Sequence, residues 1–230
     1  MMEIASETIA GCSCLTANLA GCDKGAVVVI GGTRLMRRIA RLVENGELDL
    51  GGLPCFVGVD APNELHDLTP WWHPAFKEEA PDFGGGGDRF LDETVIPIAR
   101  SVRVRLDDAG SSEAPLTMMG YSLGGLLCLQ ALMRTDVFDR YLVASPSVWY
   151  PGFVNRLERT ELAGDPLVAI ACGADEGASH PEPIAGIRQD VNRTHAVLSR
   201  KLSRTPSLSI DGGDHHQGLN ARLVTLLSLA

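Results

Sequence analysis

The sequence predicts an α/β fold: a mostly parallel central sheet with helices on both faces, built as one domain over residues 1–230. Three observations carry this expectation. Short β-branched runs, such as "GAVVVIGG" at residues 25–32, are continuously apolar, as in strands covered on both faces. Stretches with helical apolar spacing separate these runs. The two kinds of segment alternate along the chain with no internal repeat and no linker between them.

The elements follow in order. After the first run, "TRLMRRIARLVENGEL" places Leu35, Met36, Ile39, Ala40, Leu42 and Val43 at helical spacing, with Arg34, Arg37, Arg38 and Arg41 mostly on the other side. "LPCFVGVD" (53–60) is the next strand. Residues 61–87, "APNELHDLTPWWHPAFKEEAPDFGGGG", are polar, aromatic and proline-containing. They are too long for a simple connection, and long ordered loops tend to carry function. "DRFLDETVIPIARSVRVRL" (88–106) restores helical periodicity, with Pro97 expected to kink or break it. "APLTMMG" reads as a strand and "LGGLLCLQALMRT" as a helix that is apolar nearly all round, hence buried. "RYLVASPS", "PLVAIACG" and "SLSIDGG" are three further strands, and "GLNARLVTLLSLA" is an amphipathic closing helix.

Composition narrows the partners. The formal net charge of -9 repels phosphate backbones and anionic lipid heads, so nucleic acid and membrane surfaces are poor partners. No apolar run is long enough to cross a membrane. Of the six cysteines, Cys55, Cys128 and Cys172 lie in apolar runs, where cysteine behaves as a small hydrophobe; a reducing cytoplasm suits this chain better than a disulfide framework. "IAGC" (9–12) and "LAGC" (19–22) look like lipoprotein cleavage boxes. The first basic residue is Lys24, however, so a basic leader is missing, and both are assigned to early strands.

Gly120-Tyr121-Ser122-Leu123-Gly124 matches G-x-S-x-G, with a predicted strand before it and a buried helix after it. That context is what a nucleophile elbow requires: a serine on a sharp, strained strand-to-helix turn, with glycines where side chains would strike the neighbouring elements. The helix N-terminus and the Leu123 N–H would favour an oxyanion. A serine hydroxyl needs a base, and the base an orienting acid; in this architecture they follow in the order Ser, acid, His. His215 and His216 come just after the last predicted strand, and spacing alone does not choose between them. His195 falls in a polar helical stretch, expected to be solvated, and His180 in a loop. Asp175 and Glu176 follow the preceding strand, Glu176 three residues beyond Gly173. A second oxyanion donor is expected from the glycine-rich turn after the first run, with Thr33 N–H first and Gly32 next.

Taken together, "DLTPWW", "GGGGDRFLDETVIPIA", "GYSLGG", "ASPSVWY", "GADEG" and "DHHQGLNARL" resemble, in the same order, the putative-esterase family of α/β-hydrolases, and most of all its siderophore (enterobactin and salmochelin) trilactone esterases. The resemblance covers roughly residues 25–230. It implies an α/β-hydrolase fold and a serine esterase in which Ser122 and His215 fall on the family's nucleophile and base. Glu176 falls on the commoner placement of a variable acid. Glu64 and His66 stand where family members often carry arginines, and Gly31 stands where the family has an aspartate.

The expected function is therefore hydrolysis of a small-molecule carboxylic ester through an acyl-enzyme, on siderophore-like or other acyl or aryl esters, with no cofactor and no metal. Acyl transfer on the same site, or a non-catalytic binder on this scaffold, are the alternatives. "GGGG" (84–87) lacks the Lys-Ser/Thr ending of a phosphate-binding loop. His66, Asp67 and His73 lack the tight spacing of metal ligands. Trp71, Trp72, Trp149 and Tyr150 either line an acyl pocket or simply pack.

Overall fold

The structure, a computed structural model, describes residues 2–178 and 180–230. Its first two strands, β1 (Ile4–Ile9) and β2 (Cys12–Ala17), form an antiparallel hairpin. The hairpin turns through Ala10 and Gly11, at φ 51° and 79°. Two consecutive positive φ values match the twist of the flanking strands. "IAGC" thus closes a hairpin, whereas "LAGC" lies in a 3₁₀ turn (Leu19–Lys24) and not in a strand.

Strand β3 (Ala26–Ile30) leads into helix α1 (Gly32–Glu44), and β4 (Cys55–Val59) into a short helix, α2 (Glu64–Asp67). A two-residue ribbon, β5 (Trp72–His73) with β6 (Phe83–Gly84), organises the long loop. The chain continues through α3 (Gly87–Phe90), a π turn (Leu91–Val95) and α4 (Ile96–Asp108). Pro97 does not end the helical run, which goes on as α4 directly after the π turn, with the proline in its first turn. It cannot donate to the preceding turn, and the π turn just ahead absorbs this: Ile96 N–H bonds back to Leu91 O, five residues earlier. Then come β7 (Leu116–Tyr121), α5 (Leu123–Ala131), β8 (Arg140–Ala144), α6 (Phe153–Arg159), β9 (Leu167–Gly173), α7 (Ile187–Lys201), β10 (Ser207–Asp211) and α8 (Leu219–Leu227).

Eight strands form one sheet in the order β1-β2-β4-β3-β7-β8-β9-β10. The pairs from β4 to β10 are all parallel, and the hairpin adds antiparallel strands at one edge. The continuous apolar runs follow from this layout. Ala26, Val28 and Ile30 face a core shared with α4, α5, α6 and α7, while Val27 and Val29 face a second core under α1 and α8. A strand covered on both sides has no position left for a polar residue. Because the strands run parallel, the loops after β3, β7, β9 and β10 emerge at one edge of the sheet, where sites collect in such folds.

The glycine run at 84–87 is a packing device. A Cβ at Gly84 or Gly86 would overlap the His66 ring, and one at Gly85 would overlap the backbone of Trp71 and Trp72. The glycines let this strip lie directly on the "HDLTPWW" segment.

Candidate active site

Ser122 sits between β7 and α5 at φ 58° and ψ -120°, a conformation that costs an L-residue about 1–3 kcal/mol. Its surroundings enforce the turn. The Ser122 N–H donates to Ala144 O (3.1 Å), and its carbonyl accepts from Leu126 N (3.0 Å) and Ser147 N (3.1 Å). A Cβ on Gly120 would overlap Gly124 O, so the strand can approach the helix only through glycine.

The loop after β10 brings His215 to this serine, with Nε2 3.0 Å from Ser122 Oγ. The turn after β9 brings Glu176 to the other ring nitrogen, with Oε2 3.0 Å from His215 Nδ1. With the carboxylate ionised, Nδ1 keeps its proton and donates a hydrogen bond to Glu176, leaving Nε2 to accept from the serine hydroxyl. Glu176 is only 2 % exposed. Burial opposes its ionisation, but the hydrogen bonds from His215 and from the Gly173 N–H outweigh that, and its pKa falls to about 2. Its Oε1 accepts from Gly173 N at 2.8 Å and from Arg222 Nη1 at 3.1 Å, so Oε2 is left to the imidazole.

The other residues weighed from sequence lie elsewhere. Asp175 is exposed, and its N–H donates to Gly213 O at 3.0 Å. His216 is exposed, its Nδ1 3.0 Å from Tyr121 Oη. His180 is exposed in a loop. His195 is not the solvated residue expected: it is half-buried on α7, Nε2 2.9 Å from Pro206 O. Leu123 opens α5 directly after the serine. Thr33 needs correcting as the second oxyanion donor. Its N–H donates to Asp60 Oδ1 at 2.9 Å and its hydroxyl to Asp60 Oδ2, so the amide is already engaged. The preceding Gly32 N–H has no protein acceptor among the described residues.

A small hollow of about 50 Å³ lies beside the serine, lined by Gly31, Arg34, Glu64, Leu68, Tyr121 and Leu123 among others. Trp71, Trp149 and Tyr150 do not line it. They pack with Phe83 into an aromatic cluster at centroid separations of 5.4–6.2 Å, while Trp72 is 61 % exposed. Among the described residues no group of three or more His, Cys, Asp or Glu side chains is placed to hold a metal ion. No helix among them is long and apolar enough to cross a membrane.

Sequence reasoning passed over three polar residues here. Ser147 Oγ lies 3.3 Å from Ser122 Oγ, and Ser145 and Arg222 lie behind Glu176. Arg222 did leave a signal. It occupies the apolar stripe of α8 with Leu219, Leu223 and Leu226, a position where a charge calls for a buried partner.

No family model matches the chain. It is 25% identical over 203 residues to an uncharacterized Bacillus subtilis protein, YbbA, covering 83% of this chain and 78% of that protein. Over 106 residues it is 33% identical to a siderophore enterobactin esterase of Emericella nidulans, covering 43% of this chain and 35% of the relative. Over 92 residues it is 39% identical to a siderophore triacetylfusarinine C esterase of Aspergillus fumigatus, covering 40% and 29%. The matches thus span about a third of the length of these fungal esterases. In structure it resembles the siderophore hydrolase EstA of Aspergillus nidulans, with TM-score 0.65, 19% identity and coverage of 98% of this chain and 93% of that one. The chain has the α/β-hydrolase fold and is similar in sequence to siderophore esterases.

Proposed function

We propose that this α/β-hydrolase is a serine carboxylic ester hydrolase, one catalytic domain over residues 1–230 working in a reducing cytoplasm. The observation that carries the reading is the unbroken hydrogen-bonded line from Ser122 Oγ through His215 to a buried, ionised Glu176, set at the N-terminus of a buried helix. The likeness to siderophore esterases supports ester hydrolysis as the reaction, and the proposed substrates are siderophore-like or other small acyl or aryl esters.

In this reading Ser122 Oγ bonds to the ester carbonyl carbon while its proton passes to His215 Nε2. Glu176 holds the resulting imidazolium through Nδ1–H. The Leu123 N–H receives the oxyanion, and the free Gly32 N–H is the proposed second donor in place of Thr33. Each such donor is worth about 3 kcal/mol in the transition state. The C–O bond to the leaving alcohol then breaks, and the alcohol oxygen takes the proton from Nε2. Water repeats the sequence on the acyl-enzyme: its proton goes to His215 Nε2, its oxygen bonds to the carbonyl carbon, and the bond to Ser122 Oγ breaks as that oxygen takes the proton back from Nε2.

The test is labelling of the folded protein with a fluorophosphonate, followed by peptide mass spectrometry. A single adduct on Ser122, lost in Ser122→Ala and in His215→Ala, is expected. Absence of the adduct in folded protein overturns the reading.

A further inference from the structure

Resting on that reading of Ser122, His215 and Glu176, we infer that Arg222 is a positioning residue of the same site: it holds the acid and the histidine-bearing loop in one arrangement. Arg222 lies on α8 and is 1 % exposed. Its Nε and Nη2 donate to the two oxygens of Asp211 at 2.7 and 2.8 Å. Nη2 also reaches the carbonyls of Asp214 (2.7 Å) and Gln217 (2.8 Å). Nη1 reaches Ser145 Oγ (2.8 Å), Glu176 Oε1 (3.1 Å) and the carbonyl of His215 itself (3.3 Å).

This one guanidinium therefore ties together the ends of β8 and β10, the turn after β9, and three carbonyls of the loop that presents the imidazole. A buried cation is costly unless its donors and charge are answered, and here every arm is answered by an acceptor of the site. The planar fork matters as much as the charge, since a lysine ammonium cannot serve acceptors in so many directions. The bond to Glu176 also decides rotation. With Oε1 held by Arg222 and Gly173, only Oε2 can face His215. Ser145 gives a second, independent sign of constraint: a fully buried non-glycine at φ 44°, held in the left-handed region with its hydroxyl accepting from Arg222.

The experiment is a double-mutant cycle on kcat and KM, with Arg222→Lys, Glu176→Gln and both together, assayed on an activated short-chain aryl ester. If Arg222 acts through Glu176, Arg222→Lys lowers kcat by roughly 10-fold with KM within about 3-fold. The double variant then falls no further than about 3-fold below the slower single one. Losses that multiply, or a kcat for Arg222→Lys within about 2-fold of wild type, overturn the inference. Glu176→Gln with wild-type kcat removes the acid from the reading and the inference with it, which separates that failure from one confined to Arg222. Should Arg222→Lys not fold, the same cycle run with Asp211→Asn, which loosens the guanidinium from its more exposed partner, decides by the same criteria.

Discussion

Tyr121 stacks on His215, with 4.9 Å between ring centroids and 26° between ring planes, and its hydroxyl donates to the His215 carbonyl at 2.9 Å. The residue before the proposed nucleophile thus fixes the face and the backbone of the proposed base. Burial pushes its phenol up to about 12, so it remains a neutral donor at any working pH. Tyr121→Phe keeps the stack and loses the anchor. It is expected to cost about 1 kcal/mol in urea unfolding and to lower ester turnover several-fold. Tyr121→Leu removes the stack as well and is expected to slow turnover further.

Ser122 offers a separation of activity from stability. At φ 58° and ψ -120° any L-side chain is strained, whereas glycine is not. Ser122→Ala should abolish turnover with little change in stability, because the strain remains. Ser122→Gly should abolish turnover and yet unfold about 1 kcal/mol harder than Ser122→Ala, the relief of strain exceeding the entropic cost of glycine. Equal urea midpoints for the two variants would mean that the elbow stores no strain.

The elements of this site differ in how openly the sequence displays them, and the reason is range. The elbow is a local device: strand, glycine, serine, glycine and buried helix all lie within a few residues, so Ser122 and Leu123 were legible. Glu176 and His215 were legible as residues following strands, though choosing His215 over His216 needed the family resemblance. Thr33 was misjudged because its partner, Asp60, comes from the end of a neighbouring strand, 27 positions away. At Pro97 the helical run continues through a π turn, which apolar spacing does not register. Arg222 stands out only once α8 is read residue by residue, since its spacing from Leu219 and Leu226 puts it on the apolar side. The sheet itself was legible because parallel strands covered on both faces leave continuous apolar runs.

The carboxylate of Glu176 links the site to acid stability. Its pKa is lowered from 4.5 to about 2, so it stabilises the fold fully above about 4.5, and that contribution disappears as pH falls through about 2. The shift corresponds to on the order of 3 kcal/mol. Glu176→Gln should therefore be less stable than wild type at pH 7, and the gap in urea unfolding should narrow steadily as pH is lowered from 4.5 toward 2. A gap that stays constant over that range would show that the carboxylate is not held ionised by its neighbours.

Two glycines near the imidazole loop make opposite demands. Gly173 ends β9, and a Cβ there would overlap Gly213 O and the Nη2 of Arg222. Both are fixed, one as backbone and the other by its bonds to Asp211, so neither can yield cheaply. Gly212, at the end of β10, is exposed and would place a Cβ in open space. Gly173→Ala should cost about 2 kcal/mol through overpacking. It should also push the loop from the turn that carries Glu176, slowing fluorophosphonate labelling of Ser122 in whatever protein remains folded. Gly212→Ala should leave labelling unchanged and stability within about 0.5 kcal/mol of wild type. If the two variants label at the same rate, the close approach of β9 to the loop does not position His215.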